Sequence, residues 1–125
     1  MRAGIVGASA ETLTVRALEN PAIRGMLDGR PLTLVAAGKA ATPMVSTFLR
    51  LGPWDIRGGL VAGPEDSPRI ETLEWYGAGH PLPNRESIAA GRRALELASC
   101  VDVDGVLLVL LSGGASATLA APLAS

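Results

Sequence analysis

One segment near the end of the chain, VLLVLL at Val106–Leu111, limits the fold more than any other part of the sequence. Its six consecutive bulky aliphatic residues show no polar alternation, which is typical of a strand covered on both faces, as inner strands of parallel sheets are. The small, glycine-rich stretch SGGASATLAAP follows at once. Residues 105–125 carry no charge, but SGGASAT would lie in mid-bilayer, so we expect a strand and a loop and no membrane span.

Length and composition favour one α/β domain. A chain of 125 residues is long enough for one modest core. Hydrophobic residues make up 48% and aromatic residues only 3%, so Ala, Val, Leu and Ile must form that core, which suits helices packed on a parallel sheet. With 11 Lys and Arg against 12 Asp and Glu and no basic stretch, the sequence lacks a nucleic-acid-binding surface.

Cysteine usage and the N-terminus predict a cytoplasmic protein. Cys100 is the only cysteine, which excludes an intramolecular disulfide and a Cys-rich metal cluster. The short apolar patch at the N-terminus meets Glu11 too soon to act as a secretory signal. We expect neither export nor membrane association.

The remaining segments alternate between helical and strand patterns. The predicted order is helix, strand, helix, strand, strand, helix, strand, which indicates a doubly wound, mostly parallel, Rossmann-like sheet of about four strands. The predicted strands are Leu32–Ala36, Gly59–Ala62, Ile70–Trp75 and Val106–Leu111. The first two predicted helices are one in 10–20 that ends at Asn20-Pro21 and one that carries Ala41, Met44, Val45, Phe48 and Leu49. The last helix is capped by Asn84, with Ile88, Gly91, Leu95 and Ala98 towards the sheet and Arg92 and Arg93 facing away.

Three loops are expected beyond the carboxyl ends of the strands, where ligands bind in such sheets: residues 37–41, 77–83 and 112–116. Lys39 follows a strand and precedes a helix, so its ammonium group and the free N–H groups of that helix would face the same space. The stretch SGGAS can form a nest of backbone N–H groups, with the Ser112 and Ser116 hydroxyls as further donors. Together they favour an anionic ligand, although a solvated lysine and a plain tight turn stay open as alternatives.

Several common motifs match only in part. Gly38-Lys39 is no Walker loop, because Thr33 and Ala40 occupy the glycine and hydroxyl positions. GIVGAS, residues 4–9, has neither a predicted strand before it nor the glycine spacing of a dinucleotide fingerprint. Ser116 lacks the closing glycine of a nucleophile elbow, and His80 is a single histidine with no partner for a metal site.

The stretches AAGKAA, GHPLPNRESIAAGRRALELA and VLLVLLSGGASATLAAP, in this order, resemble the N-terminal part of the glycerate 2-kinase family. Members of that family were often labelled hydroxypyruvate reductase. The resemblance runs from the first helix to Pro122. It implies a two-domain enzyme that uses ATP and Mg²⁺ to phosphorylate the 2-hydroxyl of D-glycerate, giving 2-phosphoglycerate, in a cleft between a Rossmann-like N-terminal domain and a C-terminal domain.

Carried over by position, the resemblance implies that Lys39 is the catalytic residue; it identifies no metal ligand among these residues. The implied substrate- or phosphate-binding residues are Gly38, His80, Pro81, Ser112, Gly113, Gly114, Ala115 and Ser116. Ala115 stands where glycine is commoner, which would strain the loop if it needs a positive φ, and Thr118 replaces a usual leucine.

Family members are several times longer, so we expect residues 1–125 to be an incomplete N-terminal domain without its C-terminal domain. Later strands would then flank Val106–Leu111, and the isolated chain would be marginally stable or self-associate, because two exposed leucines forfeit roughly 3 to 6 kcal/mol. We also expect little kinase turnover from this chain alone. Two other functions stay open: a non-enzymatic α/β module or truncated pseudoenzyme, and an NAD(P)H-dependent hydroxypyruvate reductase, which would need a Gly-x-Gly-x-x-Gly after a strand.

Overall fold

A parallel sheet of five strands with helices on both faces forms the described part of the protein. This computed structural model describes residues 2–6 (backbone only), 15–16, 18–64, 70, 72–77 and 85–112. The strands are β1 (Arg2–Val6), β2 (Pro31–Ala37), β3 (Asp55–Gly63), β4 (Glu74–Gly77) and β5 (Val106–Leu111); the helices are α1 (Pro21–Leu27), α2 (Ala41–Arg50) and α3 (Arg85–Ser99). The predicted α/β class is confirmed.

The strand order is β1-β5-β2-β3-β4, and every neighbouring pair is parallel. From β2 to β3 the chain moves towards the β4 edge with α2 on one face. It then returns through α3 on the opposite face and inserts β5 between β1 and β2. Because β-α-β crossovers are right-handed, a reversal of direction requires the opposite face. The sheet is therefore doubly wound, as predicted, and all its carboxyl ends lie at one edge.

Alternating side chains of the strands build a separate core on each face. On the first face, β2 and β5 pack against α1 and α2 through Leu27, Leu32, Leu34, Ala36, Met44, Val45, Phe48, Val106, Leu108 and Leu110. On the second face, the smaller cluster Val35, Ala37, Leu60, Ala62, Ala90 and Leu107 packs against α3. Ala and Gly at these positions let helix and sheet approach closely, in line with the scarcity of aromatic residues.

The flanks of β5 are corrected by the structure. We expected strands after residue 111 to flank it, but β1 and β2 lie on its two sides, with Ala3 opposite Leu107 and Thr33 opposite Leu107. Leu108 and Leu110 are 3% and 1% exposed. The predicted self-association through an uncovered β5 thus loses its physical basis. β1 is a strand that the sequence pattern did not predict, and it includes the first three residues of GIVGAS.

The buried face of α3 was predicted correctly at Gly91 and Ala98 and wrongly at Leu95. Leu95 is 62% exposed, whereas Ser87, Ala90 and Gly91 are buried. Arg93 does not face away from the protein, because its guanidinium binds Glu74 of β4 at 2.9 and 3.0 Å. The fully buried positions of this helix are thus small residues, whereas Leu97 packs against the second core from a partly buried position and Leu95 points to solvent. The proposed cap, Asn84, lies outside the described residues.

Asn20-Pro21 marks the start of a second helix as well as the end of the first. Residues 15–16 and 18–19 are helical, and the Asn20 side chain then accepts a hydrogen bond from the Ala22 N–H at 2.9 Å, with Pro21 at the first position of α1. The sequence analysis did not predict α1. α2 corresponds to the predicted helix that carries Ala41, Met44, Val45, Phe48 and Leu49.

Candidate functional site

The carboxyl edge of the sheet is lined by small residues at the ends of adjacent strands. We call Gly38, Lys39, Gly63, Gly77 and Ser112 the carboxyl rim. Gly38 and Lys39 follow β2, Ser112 follows β5, and Gly63 and Gly77 are paired at the ends of β3 and β4. Because β2 and β5 are neighbours, the structure brings the Lys39 turn and the start of the glycine-rich loop together.

Gly38 makes the turn from β2 into α2 in a conformation that favours glycine. Its φ is 120°, its N–H donates to the Ala62 carbonyl at 3.1 Å, and its carbonyl accepts from the Ala41 N–H at 3.2 Å. A Cβ at this position would overlap Ser112 Oγ and lie 2.8 Å from the Ser112 carbonyl oxygen. The backbone of the turn and that of the β5 end therefore touch directly.

Ser112 is hydrogen-bonded to the same turn through backbone and side chain. Its N–H donates to the Ala37 carbonyl at 3.0 Å. Its hydroxyl accepts from the Ala40 N–H at 3.0 Å and lies 3.5 Å from the Ala37 carbonyl oxygen, to which it donates. The hydroxyl that the sequence analysis offered to a ligand is engaged within the protein.

The N-terminus of α2 has fewer unused donors than we expected. The Ala40 N–H is taken by Ser112, the Ala41 N–H by Gly38, and Pro43 has no N–H. An anion at this end would still meet the positive end of the helix dipole. Direct hydrogen bonding from this turn is, however, weaker than the sequence predicted.

Lys39 is exposed and is the charged member of the rim. It is also the sole lysine of the chain, which the sequence analysis did not use. A flexible side chain ending in a compact ammonium can reach an anion above the small rim residues. The arrangement therefore provides one mobile cation over a floor of glycine backbone.

Gly63 is a rim residue that the sequence analysis missed. A Cβ placed there would lie 3.4 Å from the Gly38 carbonyl oxygen, 3.6 Å from Trp75 Cη2 and 3.7 Å from Ala41 Cβ. Gly63 thus forms the floor between the β2 turn and the β4 side of the rim. The glycines ending two predicted strands, at 63 and 77, were the available signal.

Six of the predicted binding residues cannot be placed relative to the rim. His80, Pro81, Gly113, Gly114, Ala115 and Ser116 lie outside the described residues. Their roles stay predictions from the family resemblance.

The Glu74 carboxylate at the start of β4 is engaged in hydrogen bonds with neighbouring side chains. Glu74 is held by Arg93 and also accepts from the Tyr76 hydroxyl at 3.3 Å. Burial, and then the Glu74 charge, raises the pKa of Tyr76, while hydrogen bonds to Glu74 and Glu96 raise the pKa of Arg93. In the described ranges no three or more His, Cys, Asp or Glu side chains come together, so these residues form no metal-ligand cluster of that size.

A shallow depression of about 600 Å³ opens at the opposite, amino edge of the sheet. Arg30 and Arg57 line it together with Asp102 and Asp104, and Arg57 is already paired with Asp55 at 2.8 Å. Its opposite charges largely cancel, which favours neither an anion nor a cation.

No helix in the part of the chain that the structure describes could cross a membrane.

Comparison with known proteins identifies relatives of this chain. It is 40% identical over 93 residues to the D-glycerate 2-kinase of Thermotoga maritima, an alignment covering 72% of this chain and 22% of that protein. It is 45% identical over 107 residues to the glycerate kinase of Rattus norvegicus, covering 74% of this chain and 20% of that one. The chain thus spans about a fifth of the length of these curated relatives.

A solved structure shows the same similarity in three dimensions. The crystal structure of a glycerate kinase from Thermotoga maritima superposes with a TM-score of 0.70 at 33% identity, covering 89% of this chain and 27% of that chain. The resemblance to glycerate 2-kinases inferred from three sequence stretches is confirmed by these matches. The sequence profile of a family described as a domain of unknown function, DUF4147, matches residues 1–125. This chain therefore belongs to the DUF4147 family.

Proposed function

We propose that this chain supplies the Lys39 turn of an ATP-dependent glycerate 2-kinase. The observation that carries the proposal is the contact between this turn and Ser112, which joins two candidate ligand loops at one rim. The names of the curated relatives, D-glycerate 2-kinase and glycerate kinase, support the substrate. Since the chain spans about a fifth of those relatives, the proposal concerns the contribution of Lys39, and little turnover is expected from these 125 residues alone.

In the proposed reaction, the 2-hydroxyl oxygen of D-glycerate attacks the γ-phosphorus of ATP. The bond between that phosphorus and the oxygen bridging to the β-phosphate breaks, ADP leaves, and the hydroxyl proton passes to a base or to water. Proteins catalyse phosphoryl transfer mainly by positioning groups and neutralising charge. Lys39 would serve this purpose by contacting phosphoryl oxygens or the glycerate carboxylate, with no covalent intermediate. Mg²⁺ is expected with ATP, but we assign it no ligand among the described residues.

The test is a titration of the 125-residue chain with ATP, followed by the amide NMR signals of Gly38, Lys39 and Gly63. We expect Lys39→Met to weaken ATP binding about 10-fold to 150-fold, because a hydrogen bond to a charged group contributes about 1.5–3 kcal/mol. Arg50→Met is the matched control, since Arg50 is an exposed cation at the other end of the same helix. Equal effects of the two substitutions would show non-specific charge attraction and refute the proposal.

The same titration separates the other functions. If the protein is a reductase, NADH and not ATP should shift the amide NMR signals of Gly38, Lys39 and Gly63. A non-enzymatic module predicts that neither nucleotide moves them and that Lys39→Met changes nothing.

A further inference from the structure

We propose that Ser112 is a positioning residue whose hydroxyl holds the Lys39 turn against the end of β5 and does not contact the ligand. Its effect on ligand binding rests on the proposed function of Lys39. The hydrogen bonds that it makes can be tested without any ligand.

Both residues that flank Lys39 are in contact with Ser112. On one side, Gly38 approaches so closely that even a Cβ would overlap the Ser112 hydroxyl. On the other side, the Ala40 N–H donates to that hydroxyl at 3.0 Å. The backbone position of Lys39 is therefore set from both sides by Ser112, which lies 72 residues beyond Ala40 in the chain.

The Ser112 hydroxyl satisfies one of the backbone N–H groups that have no partner within α2. Ala40 is the N-cap residue of α2 and has no side chain able to cap it. An N–H group at this half-buried position needs an acceptor, since an unpaired buried donor is costly. Ser112 supplies that acceptor from a different strand, so the start of α2 depends on the position of β5.

The donor capacity of the same hydroxyl is also accounted for. A serine hydroxyl has one hydrogen to donate, and the Ala37 carbonyl lies 3.5 Å from Ser112 Oγ as its acceptor, while the Ser112 N–H donates to the same carbonyl at 3.0 Å. A ligand that bound the hydroxyl directly would compete with contacts that shape the turn. Ser112 also precedes the glycine-rich stretch that starts at residue 113. It therefore ties the base of one candidate ligand loop to the other.

Amide hydrogen exchange of Ala40, measured by NMR without ligand, tests the structural half of the proposal. Ser112→Ala should speed exchange at Ala40 by about 2-fold to 10-fold, as expected for the loss of one neutral hydrogen bond. Ser112→Thr keeps the hydroxyl and should preserve the slow exchange. Ser99→Ala is the control, because it removes a serine hydroxyl bonded to the Glu96 carbonyl at 2.8 Å, at the end of α3. Unchanged exchange in Ser112→Ala overturns the proposal.

A double-mutant cycle tests the functional half. Ser112→Ala should weaken ATP binding in the wild-type background, but it should add nothing to Lys39→Met, because Ser112 acts through the placement of Lys39. If the two losses are additive, Ser112 contacts the ligand itself and the proposal is wrong. If neither substitution changes ATP binding, the proposed function of Lys39 fails and with it any effect of Ser112 on the ligand. The Ala40 exchange rates still decide whether the serine holds the turn.

Discussion

Replacing Gly38 with alanine tests whether the carboxyl rim is built as described. The substitution places a Cβ on a residue with a φ of 120°, a conformation that costs a non-glycine residue about 1–3 kcal/mol. The new Cβ also overlaps Ser112 Oγ and lies 2.8 Å from the Ser112 carbonyl oxygen, so the end of β5 must shift. That shift breaks the Ala40–Ser112 hydrogen bond, which contributes about 0.5–1.5 kcal/mol.

The unfolded chain offsets part of this loss. Alanine has less backbone freedom than glycine when unfolded, which stabilises the folded state by about 0.4–1 kcal/mol. The free energy of unfolding should therefore fall by about 0.5 to 4 kcal/mol in Gly38→Ala, by combination of these terms. The upper half of this range is favoured, because the overlap involves the backbone of Ser112 as well as its hydroxyl.

Urea unfolding followed by tryptophan fluorescence measures the change, with two glycines of the same chain as controls. Gly25→Ala, inside α1 and with open space around its Cβ, should raise the free energy of unfolding by about 0.5–1 kcal/mol. Gly63→Ala makes ordinary contacts at 3.4 to 3.7 Å and should change it by at most about 1 kcal/mol. At an m of about 2 kcal/mol/M, a difference of about 2 kcal/mol between Gly38→Ala and Gly25→Ala separates their midpoints by about 1 M. Equal midpoints for the Gly38 and Gly63 variants would refute the described geometry.

Two further predictions concern α3 and its contact with β4. Because burial and the Glu74 charge raise the pKa of Tyr76, its stabilising effect is complete below the ordinary value of about 10 and is lost as pH rises through the higher folded-state value. The urea midpoint of the wild type should fall in this alkaline range more than that of Tyr76→Phe. If the midpoints of the two proteins fall in parallel with pH, the raised pKa of Tyr76 is contradicted. Tyr76 is the only tyrosine, so its ionisation can be followed by absorbance. Leu95→Ala should change the free energy of unfolding by no more than about 0.5 kcal/mol, whereas Leu110→Ala should lower it by about 2–5 kcal/mol. A large loss of unfolding free energy in Leu95→Ala, measured in the same urea assay, would show that Leu95 faces the sheet as predicted from the sequence.

Elements with a strong local pattern were predictable, and those that depend on distant partners were not. β2, α2 and β5 each contain enough periodic or continuous apolar residues to be recognised alone. β1 is short and contains Gly4, and its pairing with β5 involves residues more than a hundred positions away. Leu95 was misplaced because hydrophobicity ranks it above Ala90, whereas close helix–sheet packing selects small residues such as Ala90 and the correctly predicted Gly91.

In the candidate site, too, one feature could be predicted from the sequence and one that depends on a distant residue could not. That the β2 and β5 loops share an edge follows from parallel strands, so the proximity of Lys39 and Ser112 was predictable. The bond between Ser112 and Ala40 was not, because the acceptor for a helix N-terminus is expected from a residue next to it in sequence. The sequence pattern therefore predicts that Lys39 and Ser112 lie at one edge, but it does not predict that the Ser112 hydroxyl and the Ala40 N–H bond to each other.

The N–H groups that already donate within the protein at the start of α2 are not free to hold an anion at this rim, so other interactions must do so. In a phosphate-binding helix N-terminus, several backbone N–H groups share the charge, so the loss of one side chain leaves much of the binding intact. Here the Ala40 and Ala41 N–H groups are used within the protein and Pro43 has none. Lys39 and the dipole of α2 carry a larger share, and the dipole alone contributes only about 0.3–1 kcal/mol at an exposed end. Binding at the rim should consequently depend steeply on the charge of Lys39 and on the placement of its backbone, for which Ser112 is responsible.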